Sequence, residues 1–206
     1  LPHADPPVPR VLASMNAVVT KWDDRYQGRA ATEATPCQAL KENLHLLPQS
    51  GTALDLASGL SGNGQLLARH GLNVTAWDIS PVAVDKINVL AHIEGLSLRA
   101  ECIDVEHELL PNQQFDVITV SYFLNRERMP DYLQLLKPGG LLFYQTYTRE
   151  SFNPGGPRNP AFRLARNELL HLCASLELVL YREEGDNGDT SQGLRGEAML
   201  IARRPG

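Results

Sequence analysis

The sequence contains no apolar run approaching the roughly 18 residues that a membrane-spanning helix needs, so no membrane partner is expected. Cysteine is scarce. Cys37, Cys102 and Cys173 lie far apart and lack metal or redox spacing. They read as reduced thiols, and the expected compartment is the cytoplasm. Positive charge is also short: 19 Lys and Arg against 24 Asp and Glu leave a formal net charge of -5. With no global basic field to attract phosphates, no nucleic-acid partner is expected. His45, His70, His92 and His171 are scattered through helical runs, so no metal is expected either. No internal repeat appears, and 206 residues suffice for one domain with a sizeable core.

The sequence is rich in alternation. Residues 1–10, LPHADPPVPR, read as a poorly ordered arm, and Val11 to Val19 as a short helix. Thr35 and Pro36 predict a helix start, with Cys37, Leu40, Leu44 and Leu47 on one face and Pro48 as its stop. Strands are then predicted at Ala53–Ala57, Asn73–Trp77, Leu98–Ile103, Phe115–Ser121 and Gly140–Tyr147. Helices separate them: Gly62–His70, one capped by Ser80 and Pro81 and closed by Gly95, and Arg128–Leu136. After a helix at Asn167–Ala174, Leu176–Glu183 and Glu197–Arg203 follow with no helix between them, so these two should pair antiparallel. The fold class is therefore α/β: a Rossmann-like, doubly wound sheet of seven strands, mostly parallel, with one antiparallel strand near the C-terminal end. Residues 1–30 form an N-terminal arm and 31–206 the main domain.

The pivotal stretch is LDLASGLSGNG, Leu54 to Gly64: a strand, a small-residue turn and a helix start. Small residues let a ligand approach the backbone, and the helix start offers free N–H groups. In an open parallel sheet ligands bind beyond the carboxyl ends of the strands. Asp55 lies within the first strand, Gly59 in the loop after it, Asp78 ends the second strand and Asp104 the third. Ser121, Tyr122 and Asn125 follow the fourth. Asp78 can accept both hydroxyls of a ribose, and Asp104 the exocyclic amine of an adenine. An acid at one strand end often only caps the next helix, but three beside a Gly-rich turn form a nucleotide-type site.

These motifs resemble class I S-adenosylmethionine-dependent methyltransferases. The family's acidic residue with alternating glycines is matched by Asp55, Ala57, Gly59 and Ser61, Ala57 and Ser61 standing where glycines are usual. Asp78, Asp104 and LKPGG (Leu136 to Gly140) match further positions, and the resemblance covers about residues 35–204. It implies S-adenosylmethionine as cofactor, with Ser58, Ile79, Val105, Ser121 and Tyr122 completing a site built on Asp55, Ala57, Gly59, Ser61, Asp78 and Asp104. SYFLNRERMPDYLQLLKPGG, WDDRY (Trp22 to Tyr26) and AWD (Ala76 to Asp78) are similar to the small bacterial tellurite-resistance methyltransferases. That similarity implies a lid over the cofactor in residues 1–30, with Tyr26 as its contact. Those enzymes carry a His-Arg pair in the final inter-strand loop; here only Arg195 stands, which speaks against tellurite.

The expected chemistry is in-line methyl displacement onto a small molecule by a monomer or weak dimer, with much of the acceleration coming from positioning and water exclusion. Tyr122, Tyr147 and Arg158 are the candidates near the acceptor, with Asn125, Arg126 and the Pro- and Gly-rich cover Ser151 to Phe162 around them. His107 is a candidate base if it is not simply a surface residue. Two rivals remain. Ala57 and Ser61 leave open a methyltransferase-fold binding subunit without activity. Gly59 to Gly64 also approximates a dinucleotide fingerprint, the reading of an NAD-dependent oxidoreductase, although its middle glycine is missing.

Overall fold

The computed structural model describes residues 10–150 and 155–206. The expected arm at 1–10 falls almost wholly outside these residues. A seven-stranded sheet runs in the order β3-β2-β1-β4-β5-β7-β6. Its strands are β1 Thr52–Leu56, β2 Asn73–Asp78, β3 Leu98–Cys102, β4 Phe115–Ser121, β5 Leu136–Tyr147, β6 Glu177–Arg182 and β7 Glu197–Arg203. Neighbours from β3 through β5 pair parallel, while β7 pairs antiparallel with both β5 and β6. One reversed strand is thus inserted next to the sheet's last strand, as the helix-free connection of the last two strands requires.

Both faces of the sheet are covered, so neighbouring positions on a strand enter opposite cores. Ala53, Val117 and Phe143 join one core with Leu67 and Leu72; Leu54, Ile118 and Tyr144 join the other with Trp77 and Phe115. Strand order reverses between β1 and β4, which places the switch point at the carboxyl ends of those two strands.

The helices follow their caps. Ser80 Oγ accepts from Ala83 N at 3.2 Å, Pro81 opens α4 (Pro81–Glu94, counting helices in chain order), and Gly95 closes it at φ +64°. Three predicted helices change length. The expected Val11–Val19 helix runs on as α1, Arg10–Gln27, because Trp22 and Tyr26 stack one turn apart with ring centroids 5.9 Å apart. The helix expected from Thr35 to Leu47 shrinks to α2, Gln38–Lys41, and a separate 3₁₀ turn at Leu44–Leu46. Asn43 breaks it: its Nδ2 donates back to Ala39 O at 2.9 Å while its own backbone leaves helical values. The helix after β4 is only Met129–Gln134, and β5 begins at Leu136 rather than Gly140. α3 spans Gly62–Arg69 and α6 spans Glu168–Leu172.

Candidate functional site

The small-residue loop is built by backbone conformations that side chains rarely adopt. Ala57 has φ +52°, Gly59 +55° and Ser61 +56°. Left-handed backbone costs a non-glycine residue about 1–2 kcal/mol, so Ala57 and Ser61 hold this shape against local strain. Asp55 compensates at Ser61. Its carboxylate accepts from Ser61 Oγ at 2.8 Å, Gly64 N at 3.0 Å, Thr119 Oγ1 at 2.9 Å and Asn63 Nδ2 at 3.3 Å. Burial drives its pKa up, and these donors pull it back down. Asp55 is 1% exposed, so it shapes the loop from within the core rather than facing the ligand edge. That differs from the sequence expectation, in which all three acids grip one ligand.

Asn63 ties the pieces together. Its Nδ2 also donates to Ser121 Oγ at 2.9 Å, and its Oδ1 accepts from Cys37 N at 2.8 Å. Sequence reasoning passed over it because it reads as an ordinary helix-start polar residue. Gly62 is needed for close packing: a Cβ there would come within 2.5 Å of the Thr35 carbonyl carbon.

Asp78 lies at the end of β2, beside the loop. One carboxylate oxygen accepts from Gly59 N at 2.7 Å and the other from Ser80 N at 2.9 Å. Each oxygen keeps a further lone pair. Burial pushes its pKa up to about 6 against the pull of those two bonds, with Asp55 and Asp23 adding to the rise. Ser58 Oγ, in the same loop, is buried without any hydrogen-bond partner. An unsatisfied buried hydroxyl next to a carboxylate with spare acceptor capacity fits a polar, ribose-bearing ligand. The residues present therefore suit an adenosyl cofactor.

Asp104, 4% exposed, turns back on its own chain. Its Oδ1 accepts from Glu106 N at 2.9 Å and His107 N at 3.2 Å, while its Oδ2 pairs with His107 Nδ1 at 2.9 Å. His107 is thereby occupied by Asp104. Val105, buried, gives its carbonyl to Tyr132 Oη at 3.0 Å. Ile79, whose carbonyl accepts from Cys102 Sγ at 3.4 Å, lies between Asp78 and Ser80.

α1 covers this loop. Tyr26 is buried, and a Cβ on Gly59 would approach its Oη to 2.8 Å. Burial and the Asp78 charge raise the Tyr26 pKa. Two latches hold the helix down: Asp23 Oδ1 accepts from Ser80 Oγ at 2.5 Å, and Lys86 Nζ donates to the carbonyls of Tyr26, Gln27 and Arg29 at 2.6–2.7 Å. A groove of about 510 Å³ between residues 27–32 and α4 lies away from the strand ends and is a separate feature.

The proposed acceptor residues divide. Tyr122 and Tyr147 stand together, ring centroids 4.9 Å apart. Arg158 is exposed on the cover segment, of which residues 151–154 lie outside the described part. Arg163, missed in the sequence, is the buried arginine there. It lies 5.4 Å over the Tyr147 ring and donates to the carbonyls of Thr148, Gly155 and Pro157. Arg126 is taken by Glu168, and Asn125 Oδ1 accepts from Arg128 N. Arg195 donates to the carbonyls of Gly185, Asp189 and Gln192, so it braces its own loop. Among the described residues no His, Cys, Asp and Glu group could hold a metal ion, and no helix is long and apolar enough to cross a membrane.

Residues 53–140 match the family described as a methyltransferase domain. A ubiquinone biosynthesis O-methyltransferase of Coxiella burnetii is 34% identical over 103 residues, 47% of this chain and 43% of that protein. The probable S-adenosyl-L-methionine-dependent methyltransferase TehB of Haemophilus influenzae is 29% identical over 136 residues, 63% of this chain and 47% of that protein. The crystal structure of that TehB superposes with a TM-score of 0.65 at 23% identity, covering 90% of this chain and 66% of the other, a likeness of fold. The chain thus spans less than half the length of the curated Coxiella relative. The matched methyltransferase domain implies S-adenosylmethionine as the cofactor.

Proposed function

We propose that this chain, which carries a class I methyltransferase domain related to TehB, transfers a methyl group from S-adenosylmethionine to a small-molecule acceptor. The observation that supports this best is Asp78: a buried carboxylate at the end of β2, seated by Gly59 N and beside the unpartnered Ser58 Oγ. In this reading Asp78 accepts the ribose hydroxyls and Ser58 donates to the same ligand. Gly59 and the left-handed Ala57 and Ser61 bring the backbone close to it. Asp104 and Val105 bound the adenine side, with Ile79 between them and the ribose. Ser121 and Tyr122 border the methionine part, and Asp55 holds the loop's shape from below. Tyr26 on α1 closes the site from solvent, which makes the N-terminal segment the lid of the domain.

The bound cofactor supplies an electrophilic methyl carbon on a positively charged sulfur. The chain's own part is to orient that group, exclude water and place the acceptor in line with it. Isothermal titration tests the site. The wild-type chain is expected to bind S-adenosylhomocysteine, and Asp78→Ala to weaken binding at least about tenfold by removing a charge-assisted contact. Unchanged affinity in that variant would sink the site assignment. The binding-subunit alternative gains nothing from the strained loop, because Asp55 holds it in a ligand-ready shape. The family match over residues 53–140 is to a methyltransferase domain, which does not favour the nicotinamide alternative.

A further inference from the structure

The ligand edge of β4, β5 and β7 carries a cluster that starts at Tyr122, beside the methionine part of the proposed cofactor site, and extends beyond it. Tyr122 adopts φ +57°, a strained value for a bulky side chain, while its N–H donates to Gln145 O at 2.9 Å. Its ring lies against Tyr147 at an interplanar angle of 36°, and its Oη reaches Glu197 Oε2 at 3.4 Å. Gln145, buried at the end of β5, donates Nε2 to the same Oε2 at 2.6 Å. The other end of that amide accepts from Ala39 N at 2.7 Å, so it cannot flip without losing both bonds. Glu197 opens β7, the reversed strand, and so a strand start delivers a carboxylate to the edge where the other strands end. Cys37, Arg25 and Arg163 are the remaining ionisable groups acting on this cluster.

Resting on the methyl-transfer reading above, we propose that Glu197 is the catalytic proton acceptor and that the methyl acceptor is a neutral aromatic hydroxyl compound. The ring of Tyr122, which is 46% exposed and backed by Tyr147, offers a planar apolar face for it to stack on. The Glu197 carboxylate itself repels an anionic acceptor such as an oxyanion, against the opposing pull of Arg25 and Arg163. It can take the proton of a phenol, ordinary pKa about 10, as the new bond forms, whereas an aliphatic hydroxyl, closer to water near 15.7, lies out of its reach. Glu197 receives the hydroxyl proton while the acceptor oxygen bonds to the methyl carbon and the carbon–sulfur electron pair leaves with the sulfur. The products are a methyl ether, a neutral thioether and a protonated Glu197, which returns its proton to solvent.

Catechol and 4-nitrocatechol are the probes, one neutral and one largely ionised at mildly alkaline pH. The full chain, saturated with S-adenosylhomocysteine, should bind catechol by calorimetry, and Glu197→Gln should bind it within about threefold. With labelled S-adenosylmethionine, Glu197→Gln should lose about a hundredfold or more in kcat on catechol. On 4-nitrocatechol, whose proton has already left, the loss should shrink to within about tenfold. Glu197→Asp, which keeps the carboxylate, should recover part of the catechol rate. Equal losses on both probes, wild-type turnover of catechol by Glu197→Gln, or a product-loaded wild-type chain that ignores catechol would each overturn the assignment. A chain that binds no S-adenosylhomocysteine would overturn the methyl-transfer reading as well, which separates the two failures.

Discussion

In the proposed site, Asp78 sets the pH behaviour. Its pKa near 6 lies above the ordinary 3.8, so the folded, ligand-free chain favours the protonated carboxyl. Between about pH 4 and pH 6 folding therefore takes up a proton, and the stability contributed by Asp78 falls as pH rises through that window. A ribose donating two hydrogen bonds needs the ionised form. Binding must then release a proton below pH 6, and the Kd for S-adenosylhomocysteine should rise about tenfold per pH unit there while staying flat above. Calorimetry at pH 5 and pH 7.5 checks this; a pH-independent Kd would show that Asp78 does not contact the ligand. The position of Asp78 at a strand end was legible in the sequence. Asp55 was legible as a motif residue but not in its role, because the donors that occupy it come from Ser61, Asn63, Gly64 and Thr119, and their convergence exists only after folding.

Among elements, α1 gained most from tertiary structure. Its polar sequence gave only a short helix, because neither the Trp22–Tyr26 stack nor the partner surface on α4 shows in a local pattern. Lys86 gathers the C-terminal carbonyls of that helix, where a positive charge is favourable. Lys86→Met keeps the stem and removes the donors. It is expected to speed hydrogen exchange across residues 16–27 by about tenfold while leaving the β1 and β4 amides protected. Uniform exchange in both proteins would mean that the latch contributes little to the cover. The split of the predicted helix at Asn43 was hidden for the same reason, since a side chain bonding back to Ala39 competes with the ladder without changing the apolar spacing.

For the whole molecule, alternation of apolar strands with capped helices was enough to specify a doubly wound sheet, including its reversed strand. What it could not supply was the ligand edge of the last strands, because Gln145 and Glu197 are unremarkable polar residues until β5 and β7 lie side by side. Ligand binding is a property of this whole assembly. S-adenosylhomocysteine at a hundred times its Kd should add about 2.7 kcal/mol of stability and raise Tm by about 5–10 °C. A thermal scan without such a shift would argue against binding to the folded chain.

The reversal of β7 also divides the labour of change. In the proposed site, five parallel strands present their final residues to the donor, so editing those loops would disturb its cradle. The turn-rich span feeding β7, residues 183–196, enters from the opposite direction and is braced from within by Arg195 and from outside by Arg166 and Arg182. On the proposed reading, lengthening, shortening or recomposing that span would retune which molecules are accepted, while the donor's grip stayed as it was.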